Sequence, residues 1–245
     1  MIKYEMLKND IKVVDGVTVY RIVALKDFGD VKKGDLGGYI EYYNNLSFHD
    51  DCWIYDNAVV LGRSTIEHSA TVRDNTIIKC EAYLVNDCTI SGNAIIDGNI
   101  IVGDFVEISE NVVITGRAMI IDEATIKGNT RIKGGDKPLE TVIGGKVNIL
   151  GDDNEISGDI SLKGDLTITG GARITGKSDY QHITGVFNGE GCITKYTSKD
   201  GFRFVTRETM QEDGLEVGST SWEESTTPKV KESVYSMIKA FELLS

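Results

Sequence analysis

Residues 52–135 read, set out in sixes, CWIYDN, AVVLGR, STIEHS, ATVRDN, TIIKCE, AYLVND, CTISGN, AIIDGN, IIVGDF, VEISEN, VVITGR, AMIIDE, ATIKGN, TRIKGG. The third place is Ile, Val or Leu in all fourteen hexads, from Ile54 and Val60 to Ile126 and Ile132. The first place is small or β-branched throughout, and the fifth and sixth are mostly Gly, Asn, Asp or Glu. An aliphatic period of six is a multiple of the two-residue strand period and not of 3.6, so the stretch predicts short strands joined by corners and excludes helix.

A second period lies over the first. Asn57, Asn75, Asn93, Asn111 and Asn129 recur every eighteen residues. A turn-forming preference for Asn explains an Asn at any corner, but not at one corner in three. Three hexads therefore make one coil of three strands, and coils stack at about 4.8 Å. The five asparagines are expected to form a ladder up one corner, each amide bonding the next.

Working outward, residues 1–45 precede the repeat. IKVVDGVTVYRIVAL holds two apolar runs around Asp15-Gly16, a type I′ hairpin signal. DFGDVKKGDLGGYIEYYNN follows with tight-turn glycines. An N-terminal β cap is the expected job, because the open end of a stacked coil exposes strand edges and raw core. KGDLGG lacks the GKS or GKT ending of a phosphate loop.

The coil is expected over residues 46–177, with Phe48 in phase with Ile54. It becomes irregular at 136–149, where DKPLETVIGGKV carries one of two prolines, and resumes with Leu150, Ile156, Leu162, Ile168 and Ile174. Residues 178–245 end the chain. CITKYTSKDGFRFVTR predicts a hairpin at Asp200-Gly201, with Ile193, Tyr196, Phe202, Phe204 and Val205 for packing. Thr227-Pro228 then opens an amphipathic helix, with Val230, Val234, Met237, Ile238, Phe241 and Leu244 on one face.

The hexad of residues 46–176 resembles the hexapeptide-repeat family, which folds as a left-handed parallel β-helix of triangular section. That resemblance implies the left hand, since crossovers between parallel strands are otherwise right-handed. RIVALKDFGDVKKGDLGGYIE with CWIYDNAVVLG is also similar to the opening of hexapeptide-repeat proteins common in phages and prophages, often labelled transferases by fold. The fold expected is thus all-β: a left-handed parallel β-helix with an N-terminal β cap and a C-terminal hairpin plus helix.

Bulk properties narrow the function. A formal charge of −12 argues against direct nucleic-acid binding or an anionic membrane. No run approaches the ~18 apolar residues of a membrane span, and the first ten residues lack a signal-peptide core. Four cysteines without a CxxC pair point to free thiols in a reducing cytoplasm, the host's if the protein is phage-encoded.

Placed on the coil, two outward faces carry apolar columns. One holds Val59, Ile77, Ile95 and Val113; the other holds Tyr83, Ile101 and Met119, with Val85 and Ile121 beside them. The third shows Thr71, Thr89, Glu107 and Thr125. Contiguous columns predict a buried interface, hence a homo-oligomer, trimer or dimer.

Trp53 and Tyr55, with Arg73 one coil on, suit stacking on a flat ring and gripping an anion, as in a nucleotide-like ligand or a protein hot spot. Cover by the N-terminal tyrosines would equally explain them. The acidic corner of Asp50, Asp51, Asp87, Asp104, Asp122 and Glu123 is a solvated edge or a lure for cations. No cofactor is expected, and a three-histidine zinc site is not expected because His182 lies over six coils and about 30 Å from His68 by the strand spacing.

The residues favour a self-associating, non-catalytic binding protein; with the phage origin that the resemblance implies, it would dock a host protein or sequester a small anionic, nucleotide-like ligand. The alternative is a hexapeptide-family acyltransferase using an acyl-thioester donor, with His68 as general base. A purely structural rod ranks third.

Overall fold

In the computed structural model, which describes residues 2–136, 141–187, 190–207, 215–217, 226 and 228–243, the hexads wind into a parallel β-solenoid. Face 3 is a seven-stranded parallel sheet running from Trp53–Ile54 to Thr167–Ile168. Face 1, with the Val59 column, and face 2, with the Tyr83 column, share one fourteen-stranded sheet that also takes in the N-terminal strands. Ile95–Val102 and Val113–Ile120 run unbroken from face 1 to face 2 through Gly98 and Gly116.

The third places all point inward. Ile54, Val72, Ile90, Ile108 and Ile126 pair in register down face 3 and are fully buried. Each such side chain contributes about 1.5–3 kcal/mol of burial. The first places (Ala70, Cys88, Val106, Ala124) are equally buried, which explains why they are small or β-branched.

Corners turn through left-handed residues. Asp56, His68, Asp74, Asn86, Asp104, Glu110 and Asp122 have φ between 53° and 67°. Asp and Asn tolerate that region because their short side chains bond nearby backbone.

The asparagine ladder forms over four of its five members. Asn75 Nδ2 donates to Asn93 Oδ1 at 3.2 Å, Asn93 to Asn111 at 3.0 Å, and Asn111 to Asn129 at 2.9 Å. Asn129 ends the column on Asp152 Oδ1 at 2.7 Å. Asn57 stands one coil above Asn75 but takes Lys12 Nζ at 3.3 Å, because the N-terminal hairpin reaches it there.

Two register expectations need correction. Leu46, not Phe48, is the inward residue above Ile66, twenty residues on rather than eighteen. Phe48 is turned out and stacks on Tyr4 with centroids 4.7 Å apart. Further down, Ile126 pairs with Ile149, so Ile149 and not Leu150 enters the core. Ile132 pairs with Ile156, which restores the expected phase for Ile156, Leu162, Ile168 and Ile174. The irregular stretch thus inserts most of its residues before Thr141 and one more near Asn154, whose buried amide bonds Thr130 and the carbonyls of Leu150 and Gly151. Residues 137–140, with Pro138, lie outside the described residues.

The N-terminal cap is a hairpin, β1 (Tyr4–Val14) and β2 (Val17–Ala24), followed by β3 (Leu36–Ile40). Asp15 and Gly16 both have positive φ, as a type I′ turn requires. The parallel stack is joined before residue 46: β3 pairs in parallel with Val59–Val60. Lys3 plugs the open end, its fully buried ammonium donating to the carbonyls of Ser47 (3.2 Å), His49 (3.2 Å) and Cys52 (2.7 Å). These carbonyls have no further coil to bond, so the cation satisfies acceptors that would otherwise be orphaned.

The far end carries a four-stranded antiparallel sheet of Tyr180–Phe187, Glu190–Ser198, Gly201–Arg207 and Leu215–Glu216. Only its central hairpin, turning at Asp200-Gly201, is marked by adjacent residues in the sequence. Tyr196 docks it, with its hydroxyl bonded to the backbone N–H (3.1 Å) and carbonyl (3.0 Å) of Thr169. Ile193, Tyr196 and Val205 are buried, but Phe202 is exposed, with Lys195 Nζ 4.2 Å from its ring centre. Helix α1 spans Pro228–Leu243, with Val234 buried. Thr227 and Leu244, and the side chains of Val230, Met237 and Phe241, lie outside the described residues. Among the described residues no helix is long and apolar enough to cross a membrane.

Candidate functional site

The cluster proposed for stacking does not face solvent as a unit. Trp53 is 1% exposed, lying edge-on to Tyr4 (6.1 Å) and Phe28 (5.3 Å) of the cap. Its ring fits because β3 carries Gly37, where a Cβ would sit 2.6 Å from Trp53 Cζ2. Tyr55 and Arg73 do meet, the guanidinium 3.8 Å above the ring. Both are already engaged by the cap: Tyr55 donates to Asp30 Oδ1 at 2.5 Å, and Arg73 lies 4.0 Å from Asp30. Burial and the Asp30 carboxylate push the Tyr55 phenol up. The expected ring-and-anion site is thus a clasp between cap and solenoid, because the loop bearing Phe28 and Asp30 closes over it.

The two apolar columns have different fates. Val59 is 4% exposed, packed under Val14, Val17, Val19 and Tyr39 of the cap, and Ile77 is partly covered by the same group. An ion pair of Lys79 with Asp15 at 2.8 Å pins the hairpin tip over this face. The upper half of the first column is therefore buried by the chain itself, leaving Ile95 and Val113 half-exposed. Below them Val113, Thr115, Arg131, Lys133, Glu155 and Ser157 line a shallow depression of ≈ 420 Å³. The second column stays open: Tyr83 is exposed, and Ile101, Met119, Val85 and Ile121 are half-exposed on face 2.

His68 sits at the corner between faces 2 and 3, exposed, with φ 56°. Its Nδ1 accepts the backbone N–H of Asn86 at 3.4 Å. The same column repeats that contact: Asp104 Oδ2 accepts the N–H of Asp122 (3.3 Å), and Asp122 Oδ2 that of Gly145 (2.7 Å). His68 thus stands where a carboxylate stands two coils below. With Nδ1 accepting, the neutral ring carries its proton on Nε2. Adjacent Glu67 takes the hydroxyl of Tyr83 at 2.8 Å rather than orienting the imidazole.

Two members of the acidic corner, Asp104 and Asp122, follow this pattern, while Glu123 pairs with Lys146 Nζ at 3.4 Å. Asp56 and Asp74, on the corner between faces 3 and 1, likewise accept the N–H eighteen residues on, at 3.2 and 2.7 Å. Asp104 Oδ1 also takes Asn86 Nδ2 at 2.8 Å. Among the described residues no group of His, Cys, Asp and Glu could hold a metal ion. His49 is exposed beside the first coil, and His182 Nδ1 meets Thr194 Oγ1 at 3.1 Å in the far sheet, where burial pulls the imidazole down.

The four thiols are free. Burial pushes Cys88 up to about 12 and Cys192 up to about 11. Cys80 is exposed, yet its thiol donates to Asp97 Oδ1 at 2.8 Å, which raises it too. None is set up as a nucleophile, which needs a depressed pKa or an adjacent base.

The fold and corners define an all-β parallel solenoid built from six-residue rungs, a class that hosts enzymes and inert scaffolds alike. No protein-family model matches the chain. It is similar to a protein of Escherichia coli (strain K12) described as uncharacterized acetyltransferase YdcK, with 34% identity over 68 residues. The match takes in 27% of this chain and 21% of that protein, so the chain spans about a fifth of its relative's length.

Proposed function

We propose that the protein is a self-associating acyltransferase that moves an acyl group from an acyl-thioester donor to a hydroxyl or amine, with His68 as general base. The observation that carries this reading is the likeness to a protein described as an acetyltransferase, together with a solenoid of six-residue rungs. His68 is the one exposed histidine at a coil corner, beside the open apolar column of face 2. In the tautomer described above Nδ1 is the basic nitrogen. An acceptor hydroxyl would displace the long Asn86 contact to reach it.

A second reading is favoured by that same contact. A histidine spent on a backbone N–H, as Asp104 is, is a corner residue, and the protein then works by binding alone. The substitution His68→Asn separates the two, because Asn keeps an acceptor for the Asn86 N–H but no base. The assay reads thiol release from an acetyl-thioester with hydroxyl and amine acceptors. Acyl transfer predicts turnover that falls about 10²–10⁴-fold in His68→Asn with unchanged melting temperature. Absence of turnover in the wild type leaves the binding reading.

Self-association is assigned to face 2, since the cap already covers the top of face 1. A second copy packed on Ile101, Met119 and Ile121 would bury the open column. The pair Ile101→Glu with Ile121→Glu is expected to lower the mass in solution to that of one chain, read by light scattering. A wild type that is already monomeric ends this part of the proposal.

A further inference from the structure

We propose that the mouth of face 2, above the apolar column, is a binding surface for a neutral oligosaccharide. Two depressions adjoin there and share Tyr43. One, of ≈ 360 Å³, is lined by Tyr43, Asn44, Ser47, Phe48, Thr65 and Glu67. The other, of ≈ 260 Å³, is lined by Met6, Lys8, Tyr20, Glu41, Tyr42 and Tyr43. The first lies within the ~300–1,000 Å³ of small-ligand sites and the second just below it.

Three rings stand at this mouth with much of their surface in solvent: Tyr42 (57%), Tyr43 (46%) and Phe48 (37%). They are exposed but not loose. Phe48 stacks on the buried Tyr4 at 4.7 Å and 12°, and Tyr43 leans on both, 5.9 Å from Phe48 and 6.1 Å from Tyr4. Tyr4 is itself fixed, its hydroxyl donating to the carbonyls of Tyr43 (2.9 Å) and Leu46 (2.7 Å). Tyr43 and Phe48 therefore form a held platform that costs little ordering on binding, and Tyr42 stands beside it, hydrogen-bonded to the Glu41 side chain. The face of an aromatic ring is its negative pole, so it attracts the polarised C–H groups on the flat side of a pyranose.

The polar groups select a donor-rich, uncharged ligand. Glu67 accepts Tyr83 on Oε2 and Glu41 accepts the Gly62 N–H on Oε2. Glu41 is also hydrogen-bonded by the Tyr42 side chain, but an ionised carboxylate has about four lone-pair sites and can only accept, so both carboxylates keep acceptor capacity. Sugar hydroxyls supply such donors, whereas a phosphate or carboxylate ligand would meet two anions against Lys8 alone. Asn44, Ser47 and Thr65 add the short polar side chains that pair with further hydroxyls. A protein anchor is the poorer fit, since hot spots sit in deep, desolvated pockets and these depressions are open.

The inference stands apart from acyl transfer, because its test contains no acyl donor. The full chain is titrated calorimetrically with maltohexaose, cellohexaose, chitohexaose and mannohexaose in turn. At least one is expected to bind with Kd on the order of 1 mM or tighter. Tyr42→Ala, at the most exposed ring, and Glu67→Gln are each expected to weaken it about tenfold without moving the melting temperature. Tyr43→Phe should leave it within a few-fold, as the ring and not its hydroxyl is the platform. No saturation with any of the four sugars overturns the proposal, as does binding indifferent to both Tyr42→Ala and Glu67→Gln. A drop in solution mass on Tyr42→Ala without loss of sugar binding would give the surface to a second copy of the chain, and also overturns it.

Discussion

Gly128→Val is expected to cost more than about 4 kcal/mol and to lower the melting temperature by on the order of 10 °C or more. Gly128 lies on the corner between faces 3 and 1 with φ +82°, and a Cβ there would sit 2.0 Å from the Gly151 carbonyl oxygen. Positive φ alone does not forbid a side chain at this column, because Asp74 (φ 59°) and Glu110 (φ 67°) occupy it one coil apart from Gly92 and Gly128. Their strain is about 1–2 kcal/mol each. The collision at Gly128 arises from the next coil, whose Gly151 backbone stacks directly on it, as the Glu110 backbone stacks on Gly92, where a Cβ would sit 2.6 Å from Glu110 N. Gly16 is the control, with φ +81° and nothing within 4 Å of a Cβ. Gly16→Ala should cost only the strain. Equal melting shifts for Gly16→Ala and Gly128→Ala, measured by circular dichroism, would remove the stacking argument.

Trp53→Ala is expected to cost about 3–5 kcal/mol, the range for a buried aromatic truncated to alanine. The effect should be felt first in the cap, since Trp53 is wedged between Tyr4, Phe28 and the glycine of β3. Amide exchange in β1 and β2 should accelerate before that of the lower coils, because a solenoid's stability is summed from neighbouring contacts. A variant with unchanged stability and a lost ligand would instead restore Trp53 as a binding residue.

The solenoid was legible because its information is local and repeated. Each hexad states its inward residue, and every eighteenth residue meets its own equivalent, so Ile54 to Ile126 and Asn75 to Asn129 could be placed from spacing alone. Asp15-Gly16 and Asp200-Gly201 were legible for the same reason, as turns written in adjacent residues. The candidate site was less so. Trp53 and Val59 have the spacing of outward residues, and they are outward from the coil; nothing in their own hexads tells that the cap lies on top. His68 reads as a free corner histidine until the N–H of Asn86, eighteen residues on, is seen at its Nδ1.

What the residues by themselves determined is the coil: its period, its core and the corner that carries the asparagines. These follow from nearest-neighbour stacking, in which identical strands meet at about 4.8 Å and any other register would put polar residues inside. Only the tertiary structure decided which outer surfaces remain free. That depends on contacts between residues far apart in the chain, such as Lys3 with Cys52, Asp15 with Lys79 and Asp30 with Tyr55. They bring the cap over face 1 and the top of face 3, and they leave face 2 open with its rings and its aliphatic column.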